Sequence, residues 1–150
     1  MVDPQSLGTS GEPFPLDVER GKVREFARAV RSTDPSHLEG EHPVAPPTFL
    51  TTTMHWQPPE ADPWDSVAMD QQRGLHAEQE YVFHGAPPRA GDRLTCRSTI
   101  ADIYTRQGRR GGELTFVVMH TSFHDERGEL VAEARMTAVE TARPPVEPSA

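Results

Sequence analysis

Four long segments of alternating apolar and polar residues occupy positions 75–141, and they constrain the fold more than any other feature of the chain. In the last segment, every second residue from Leu130 to Ala138 is apolar, and charged residues or threonine fill most positions between them. A repeat of two residues is typical of a strand with one buried face. Glycine-rich or charged turns separate the segments, so we predict four successive strands that form an antiparallel meander.

The second of these segments indicates which side chains face the core. The side predicted to face inward carries Leu94, Cys96, Ser98, Ile100 and Tyr104. We therefore expect Cys96 to be a small core residue. It is the single cysteine of the sequence, which excludes an internal disulfide and a cysteine-based metal cluster.

Two helices are predicted before the strands. Apolar residues recur at helical spacing from Val23 to Val30, and Pro35 is expected to end this helix because a residue before proline avoids helical angles. A second, more apolar helix is predicted over residues 47–56, with Pro47 in its first turn, where a missing N–H costs nothing. The alanines of the last strand would let this second helix lie close to the sheet.

These elements together indicate an α+β fold. A strongly curved antiparallel sheet wrapped around one apolar central helix is a hot-dog fold, although an α+β roll of another kind would give a similar pattern. The length of 150 residues suits one domain. Prolines cluster outside the predicted elements, so we expect a flexible N-terminal tail over 1–12, a single domain over 13–141 and a flexible C-terminal tail over 142–150.

Charge and hydropathy exclude several classes of partner. The formal net charge is −8, so we expect no nucleic-acid partner. The stretch GRRGG at 108–112 is expected to form a solvated turn or to meet the phosphates of a carrier arm. No run approaches ~20 apolar residues, which argues against membrane insertion. The first residues carry neither a basic start nor an apolar core, so we expect no signal peptide and a cytoplasmic protein.

Six stretches follow one another along residues 18–141: VERGKVREFARAV, VAPPTF, LHAEQEYVFH, PRAGDRLTCRSTIADIY, GGELTFVVMHTSF and GELVAEARMTAV. Their order and spacing resemble the MaoC-like, FAS1-type dehydratase family, in particular its N-terminal-domain group. The resemblance implies a hot-dog fold and dimers whose sheets pair edge to edge. It also implies a (3R)-hydroxyacyl or trans-2-enoyl thioester of coenzyme A or acyl carrier protein as substrate, reversible loss or addition of water, and no cofactor.

The resemblance implies a catalytic loop after the first helix, where active members carry an Asp and a His in a pattern like G-D-x-N-P-x-H. Residues 31–37, RSTDPSH, occupy this place. His37 matches the catalytic His and Asp34 falls on the Asn position, so these two are the candidate catalytic residues. Ser32 stands where the Asp belongs, and a serine neither acts as a base near neutral pH nor orients an imidazole as a carboxylate does.

A second motif of active members, similar to I-A-H-G, places a glycine at the start of the central helix. Its N–H, supported by the helix dipole, suits a thioester oxyanion. Here the matching stretch is VAPPTF, residues 44–49, and Pro47 has no N–H. The N–H groups of Thr48 and Phe49 remain, so we expect these two residues to bind substrate.

Polar residues of the predicted strands give further candidates. His76 and Glu78 are expected either to line the cleft beside the central helix and bind substrate, or to bond nearby backbone at a strand edge. His120 and His124 would lie ~13 Å apart on a strand that rises ~3.3 Å per residue. That separation is too large for one ion, so no metal site is predicted.

Two altered catalytic parts indicate a subunit that binds substrate but is catalytically incomplete. We expect a hetero- or homodimer with a hot-dog subunit, in which a MaoC-type partner supplies the catalytic Asp and His. Three alternatives stay open: a self-sufficient homodimeric hydratase using His37 and Asp34, a hot-dog acyl-thioesterase, and an acyl-thioester binding module without a partner enzyme. No Asp or Glu occurs between Pro43 and Gln57, which argues against the thioesterase, since that reaction needs a carboxylate by the central helix.

Overall fold

Five strands and several short helices make up the fold in a computed structural model, which describes residues 1–109 and 112–142. The strands are β1 (Phe14–Asp17), β2 (Gly74–Phe83), β3 (Arg93–Gln107), β4 (Glu113–His124) and β5 (Leu130–Glu140). The helices are α1 (Arg20–Ala29), α2 (Pro35–Leu38) and 3-10 helices at Pro4–Ser6, Phe49–His55, Pro59–Ala61 and Pro63–Val67. No helix within the described ranges is long and apolar enough to span a membrane. Arg110 of the GRRGG turn and residues 143–150 of the expected C-terminal tail lie outside those ranges.

All five strands form one antiparallel sheet in the order β1-β3-β4-β5-β2. The predicted meander is confirmed for β3, β4 and β5, which pair in sequence. The prediction is wrong for β2, which pairs with β5 at the far edge of the sheet. Alternation identifies a strand but not its neighbour. The connection after β2, residues 84–92, contains Pro87 and Pro88 and does not fit a tight hairpin.

The sheet curves around the 3-10 helix Phe49–His55, which we call the central helix, and this confirms the predicted hot-dog fold. Phe49 and Leu50 are buried, and they pack in one core cluster with Cys96, Phe123 and Ala134 of the sheet. The small alanine leaves room for the helix, as expected from the sequence. Consecutive threonines are weak α-helix formers, which is consistent with a 3-10 rather than an α-helical geometry.

The first predicted helix is confirmed as α1, but it ends earlier than expected. Val23 is fully buried, and Phe26 packs edge-on against Phe49, with ring centroids 5.6 Å apart and an interplanar angle of 83°. The helix ends before Arg31, which adopts a left-handed conformation with φ of 58°. Pro35, which was expected to end α1, instead lies in the first turn of α2.

Residues 1–12 pack along β3, whereas their composition indicated a flexible tail. Val2 is buried in a core cluster that also contains Ile100 of β3. The Gly11 N–H donates to the Ser98 carbonyl at 3.0 Å. Because β1 pairs with just the first part of β3, the next part of that edge would carry unpaired backbone groups. The N-terminal residues supply partners for them and thereby belong to the folded domain.

A bulge in β3 between Ile100 and Asp102 reverses the face of the residues that follow it. Ile103 therefore joins Ile100 in a core cluster on the inner face. Tyr104, which was expected on that face, lies on the outer one and stacks on Phe116 with ring centroids 4.9 Å apart. A strict period of two does not reveal such an extra residue.

Candidate functional site

A cavity of about 200 Å³ lies between the central helix and the inner face of the sheet. Its apolar lining consists of Leu50, Met54, Met119, Phe123, Ala134 and Met136. Its polar lining consists of Thr51, Thr53, Gln57, His76, Gln79, Tyr81, Ser98 and Thr121. Three of the apolar residues are methionines, whose flexible side chains adapt to ligands of different shape. We call this cavity the groove.

Most polar side chains in the groove form hydrogen bonds, either with one another or with backbone carbonyls. The Ser98 and Thr121 hydroxyls are buried and lie 2.9 Å apart. The Tyr81 phenol bonds the Thr51 side chain, and burial raises the pKa of Tyr81 in spite of that bond, so the phenol stays protonated at neutral pH. No Asp, Glu, Lys or Arg occurs among the residues that line the groove in the described part of the chain. Such a lining suits an uncharged, flexible group.

His76 lines the groove, whereas Glu78 lies on the outer face of the sheet. A bulge in β2 falls between these two residues and switches the face of those that follow. Gln79 and Tyr81 consequently point into the groove, and Glu80 joins Glu78 outside. Strict alternation placed His76 and Glu78 on one side, so it missed Gln79 and Tyr81 as groove residues.

The candidate catalytic residues His37 and Asp34 lie together on α2, outside the groove. Asp34 caps this helix, and its Oδ1 accepts a hydrogen bond from the Ser36 N–H at 2.8 Å. The His37 Nδ1 lies 2.8 Å from the Val44 carbonyl oxygen, to which it can bond only as an N–H donor. In the neutral ring, Nε2 then carries the lone pair. The distance from Nε2 to Asp34 Oδ2 is 4.0 Å, too long for a hydrogen bond.

Local hydrogen bonds occupy the other polar groups of this loop. Bonds from Ser36 lower the pKa of Asp34, which keeps its exposed carboxylate ionised but makes it a weaker base. Ser32, at the position where the resemblance places an Asp, accepts a hydrogen bond from the Asp34 N–H at 3.3 Å. Both residues therefore serve to shape the turn into α2.

The start of the central helix offers the N–H of Thr48 as an exposed backbone donor. Pro47 has no N–H, and the Phe49 N–H donates to the Pro46 carbonyl at 2.8 Å. Thr48 is exposed, and its N–H forms no hydrogen bond within residues 1–109 and 112–142. The Phe49 side chain is buried in the core and does not line the groove. Of the two residues expected here, Thr48 is thus the one with a donor available to a ligand.

Glu133 holds two histidines on the outer face of the sheet. Its Oε2 lies 2.6 Å from His84 Nε2, and its Oε1 lies 2.8 Å from His120 Nε2. These bonds, with that from His84 the larger cause, lower the pKa of Glu133. His120 therefore bonds a carboxylate and does not form a site together with His124. Within the described residues, no group of three or more His, Cys, Asp or Glu side chains is arranged to hold a metal ion.

Comparison of the sequence with known families and curated proteins gives consistent matches. A model of the FAS1-like dehydratase domain region matches residues 5–134. A UPF0336 protein of Streptomyces griseus is 33% identical over 142 residues, which cover 89% of this chain and 91% of the relative. A UPF0336 protein of Saccharopolyspora erythraea is 33% identical over 150 residues, with coverage of 92% and 90%.

Solved structures show the same likeness in three dimensions. A chain in the crystal structure of the C-terminally truncated HadBC (3R-hydroxyacyl-ACP dehydratase) complex of Mycobacterium tuberculosis is 30% identical, with a TM-score of 0.72 and coverage of 89% of this chain and 96% of that chain. A MaoC-like dehydratase is 28% identical with a TM-score of 0.72, over 90% of this chain and 42% of that chain. The ChsH1–ChsH2 complex of Mycobacterium tuberculosis, at 17% identity and a TM-score of 0.70 over 94% of this chain and 88% of that chain, shares the fold.

Proposed function

The chain belongs to the family of FAS1-like, MaoC-like dehydratases, and on this premise we propose that it is the substrate-binding subunit of a (3R)-hydroxyacyl-thioester dehydratase. The same enzyme would run in reverse as an enoyl-thioester hydratase. The chain would hold the acyl group of a coenzyme A or carrier-protein thioester in the groove. A MaoC-type partner subunit would supply the catalytic Asp and His.

The observation that carries this proposal is the pair of residues Ser32 and Pro47, which stand where the family resemblance places a catalytic carboxylate and a backbone N–H donor. Removing water from a 3-hydroxyacyl thioester needs a base for the C2 proton, an acid for the departing hydroxyl and hydrogen-bond donors at the thioester oxygen. Pro47 lacks the N–H that would serve the thioester oxygen. Ser32 has no carboxylate, and its hydroxyl oxygen bonds the Asp34 N–H. The chain alone therefore lacks a complete set.

The groove supports the binding half of the proposal. Its lining in the described part of the chain contains no Asp, Glu, Lys or Arg, and three methionines let it fit acyl chains of different shape. His76 lines the groove and would meet the thioester end of the ligand. The exposed N–H of Thr48, which lies outside the groove lining, would be a second donor at that end. Glu78 has no part in this role, because it lies on the other face of the sheet.

The edge of the sheet supports a partner. β2 is ten residues long and pairs with β5 on one side, and no strand of the described chain covers its other side. The family implies dimers whose sheets pair edge to edge, and this edge is suited to such pairing. Two of the similar structures are complexes of unlike subunits, HadBC and ChsH1–ChsH2.

A self-sufficient homodimeric hydratase is a second candidate, and the tautomer of His37 favours it. The bond from Nδ1 to the Val44 carbonyl leaves Nε2 free to accept a proton. Asp34 Oδ2 lies 4.0 Å from that nitrogen, so a small rotation would bring the pair into contact. In this alternative, the two residues would replace the usual Asp and His.

Hydration of crotonyl-CoA tests the two candidates directly. We expect no turnover above background from the purified chain, and turnover when a MaoC-type subunit with intact Asp and His is added. His37→Ala in this chain is expected to leave the activity of the mixture within about twofold, because the partner carries the acid–base groups. His42→Ala is the matched control, since the His42 Nδ1 also bonds a loop carbonyl, that of Ala90, at 2.8 Å.

The opposite pattern would replace the first candidate with the second. If the chain alone hydrates crotonyl-CoA and loses about 10²-fold or more in His37→Ala but not in His42→Ala, His37 is a catalytic acid–base group and no partner is needed. Release of free acid instead of hydrated thioester would move the chain to the acyl-thioesterases.

A further inference from the structure

The open edge of β2 carries features of a protein-binding surface beyond its unpaired backbone. Leu75 and Val82 on this strand are 51% and 40% exposed, and Met54 of the central helix is 68% exposed. Apolar side chains thus lie at the open edge, where a second strand would cover them. An open strand edge with exposed apolar side chains beside it is suited to pair with a strand of another chain.

The outer face of this edge is acidic. β2 contains Glu78 and Glu80 and no lysine or arginine. Both glutamates are exposed and line a shallow cavity of about 270 Å³ on the outer face. Asp102 adds a third carboxylate to this cavity, and Arg135 is the one basic side chain among the described residues that line it.

From this arrangement we infer that β2 selects an unlike subunit whose pairing strand carries Lys or Arg on its outer face, and that it rejects a second copy of this chain. The inference deepens the proposed function and rests on it. Such selection would keep a subunit that lacks some catalytic groups from forming inactive homodimers.

The geometry of antiparallel pairing gives the reason. Around a twofold axis perpendicular to a continuous sheet, residues directly opposite each other point to the same face, with Cβ atoms about 4.5–5.5 Å apart. If the axis lies at Glu78, at Glu80 or midway between them, a carboxylate of one copy meets a carboxylate of the other. A net charge of −8 on each copy adds to the repulsion. A lysine or arginine at the opposite position would turn the same contacts into attraction.

A pair of oppositely charged versions of the chain tests this selection without the natural partner. Sedimentation velocity is run at low salt on the wild type, on Glu78→Lys/Glu80→Lys, and on their equimolar mixture. We expect the mixture to form dimers at a concentration about tenfold below that needed by either protein alone. The difference should vanish at about 0.5 M salt, where screening acts over a few ångströms.

Two further variants keep the test specific. Glu78→Gln/Glu80→Gln removes the contacts between carboxylates in each of these registers and reduces the net negative charge, so it should strengthen self-association about tenfold at low salt. Glu12→Lys/Glu19→Lys makes the same change in net charge near β1, at the opposite edge of the sheet. Its mixture with the wild type should form no more dimer than the wild type alone. Circular dichroism confirms that each variant is folded.

The results separate this inference from the proposed function, because the readout is association rather than turnover. A wild-type homodimer whose affinity is unchanged by the glutamine variant and by salt would overturn the inference. A mixture that associates no better than its components would do so as well. Either result would leave the substrate-binding role standing, because that role is tested by turnover of crotonyl-CoA: it falls if the chain alone hydrates the thioester or releases the free acid.

Discussion

Under the proposed function, single residues explain how the chain could do without two catalytic groups and still keep its fold. Pro47 removes an N–H at a helix start, where the first N–H groups have no partner within the helix. Ser32 exchanges a carboxylate for a hydroxyl that still takes part in a local hydrogen bond, with the Asp34 N–H. Neither change disturbs a buried contact, so the chemistry of the loop can change while the scaffold remains stable.

Cys96 gives a prediction at the same scale. The side chain is fully buried, and burial raises the pKa of its thiol to about 12. The thiolate is the reactive form, so we expect the native protein to resist iodoacetamide at neutral pH while the chain unfolded in guanidinium is labelled completely. Mass spectrometry counts the modified fraction. Labelling of the folded protein at the rate of a free thiol would show that the residue is accessible.

Residue identity and residue orientation differ in how well the sequence predicts them. Proline has no backbone N–H and serine has no carboxylate in any fold, so both statements could be made from the sequence alone. The burial of Cys96 followed from alternation and is confirmed. Glu78 and Tyr104 were placed on the wrong face, because each follows a one-residue bulge in its strand. Bulges depend on pairing between strands, which a single strand does not encode.

At the scale of elements, the N-terminal segment depends on a very close backbone contact. A Cβ at Gly11 would lie 1.9 Å from the Ala61 carbonyl oxygen, a backbone atom that cannot turn aside. We expect Gly11→Ala to lower the free energy of unfolding by about 2–3 kcal/mol, because the segment must shift off β3 or displace the 3-10 helix at Pro59–Ala61. Urea unfolding followed by circular dichroism measures this change.

Gly21 provides the matched control for that substitution. It lies in α1, and a Cβ there would meet no atom within 4 Å. Gly21→Ala is expected to raise the free energy of unfolding by up to about 1 kcal/mol, because alanine is the better helix former. If Gly11→Ala falls within about 0.5 kcal/mol of the wild type, the N-terminal segment contributes little to the fold.

Elements were easier to predict than their arrangement. The four long strands and both predicted helices exist. An apolar period marks α1 and the buried face of β3, whereas β2 is mostly exposed and the central helix was indicated by its apolar content and by Pro47. β1 was not predicted, since four residues are too few to show alternation. The place of β2 beside β5 depends on the path of the chain across the sheet, which local sequence does not show. The packing of residues 1–12 depends on the part of the β3 edge that β1 leaves uncovered.

At the scale of the whole molecule, one buried carboxylate joins parts of the chain that are distant in sequence. Glu140, at the end of β5, is 4% exposed. Its Oε1 lies 2.9 Å from Arg73 Nη2, and its Oε2 accepts the Asp70 N–H at 2.8 Å. Arg73 also bonds the Thr141 carbonyl and the Asp70 carboxylate. Spacing in the sequence gives no sign of a pair separated by 67 positions, so this network was not predictable.

Glu140→Gln keeps the shape of this side chain but removes the buried one of the two carboxylates that pair with Arg73, the other being that of Asp70. We expect it to lower the free energy of unfolding by about 2–3 kcal/mol, less than the ~3–5 kcal/mol of a fully buried pair, because Arg73 is 20% exposed and partly solvated. Equilibrium urea unfolding measures the loss. Glu129→Gln, which removes an exposed pair with Arg127, should leave the urea midpoint unchanged, because solvent screens this pair. Equal effects of the two substitutions would mean that the segment before β2 is not held by this carboxylate.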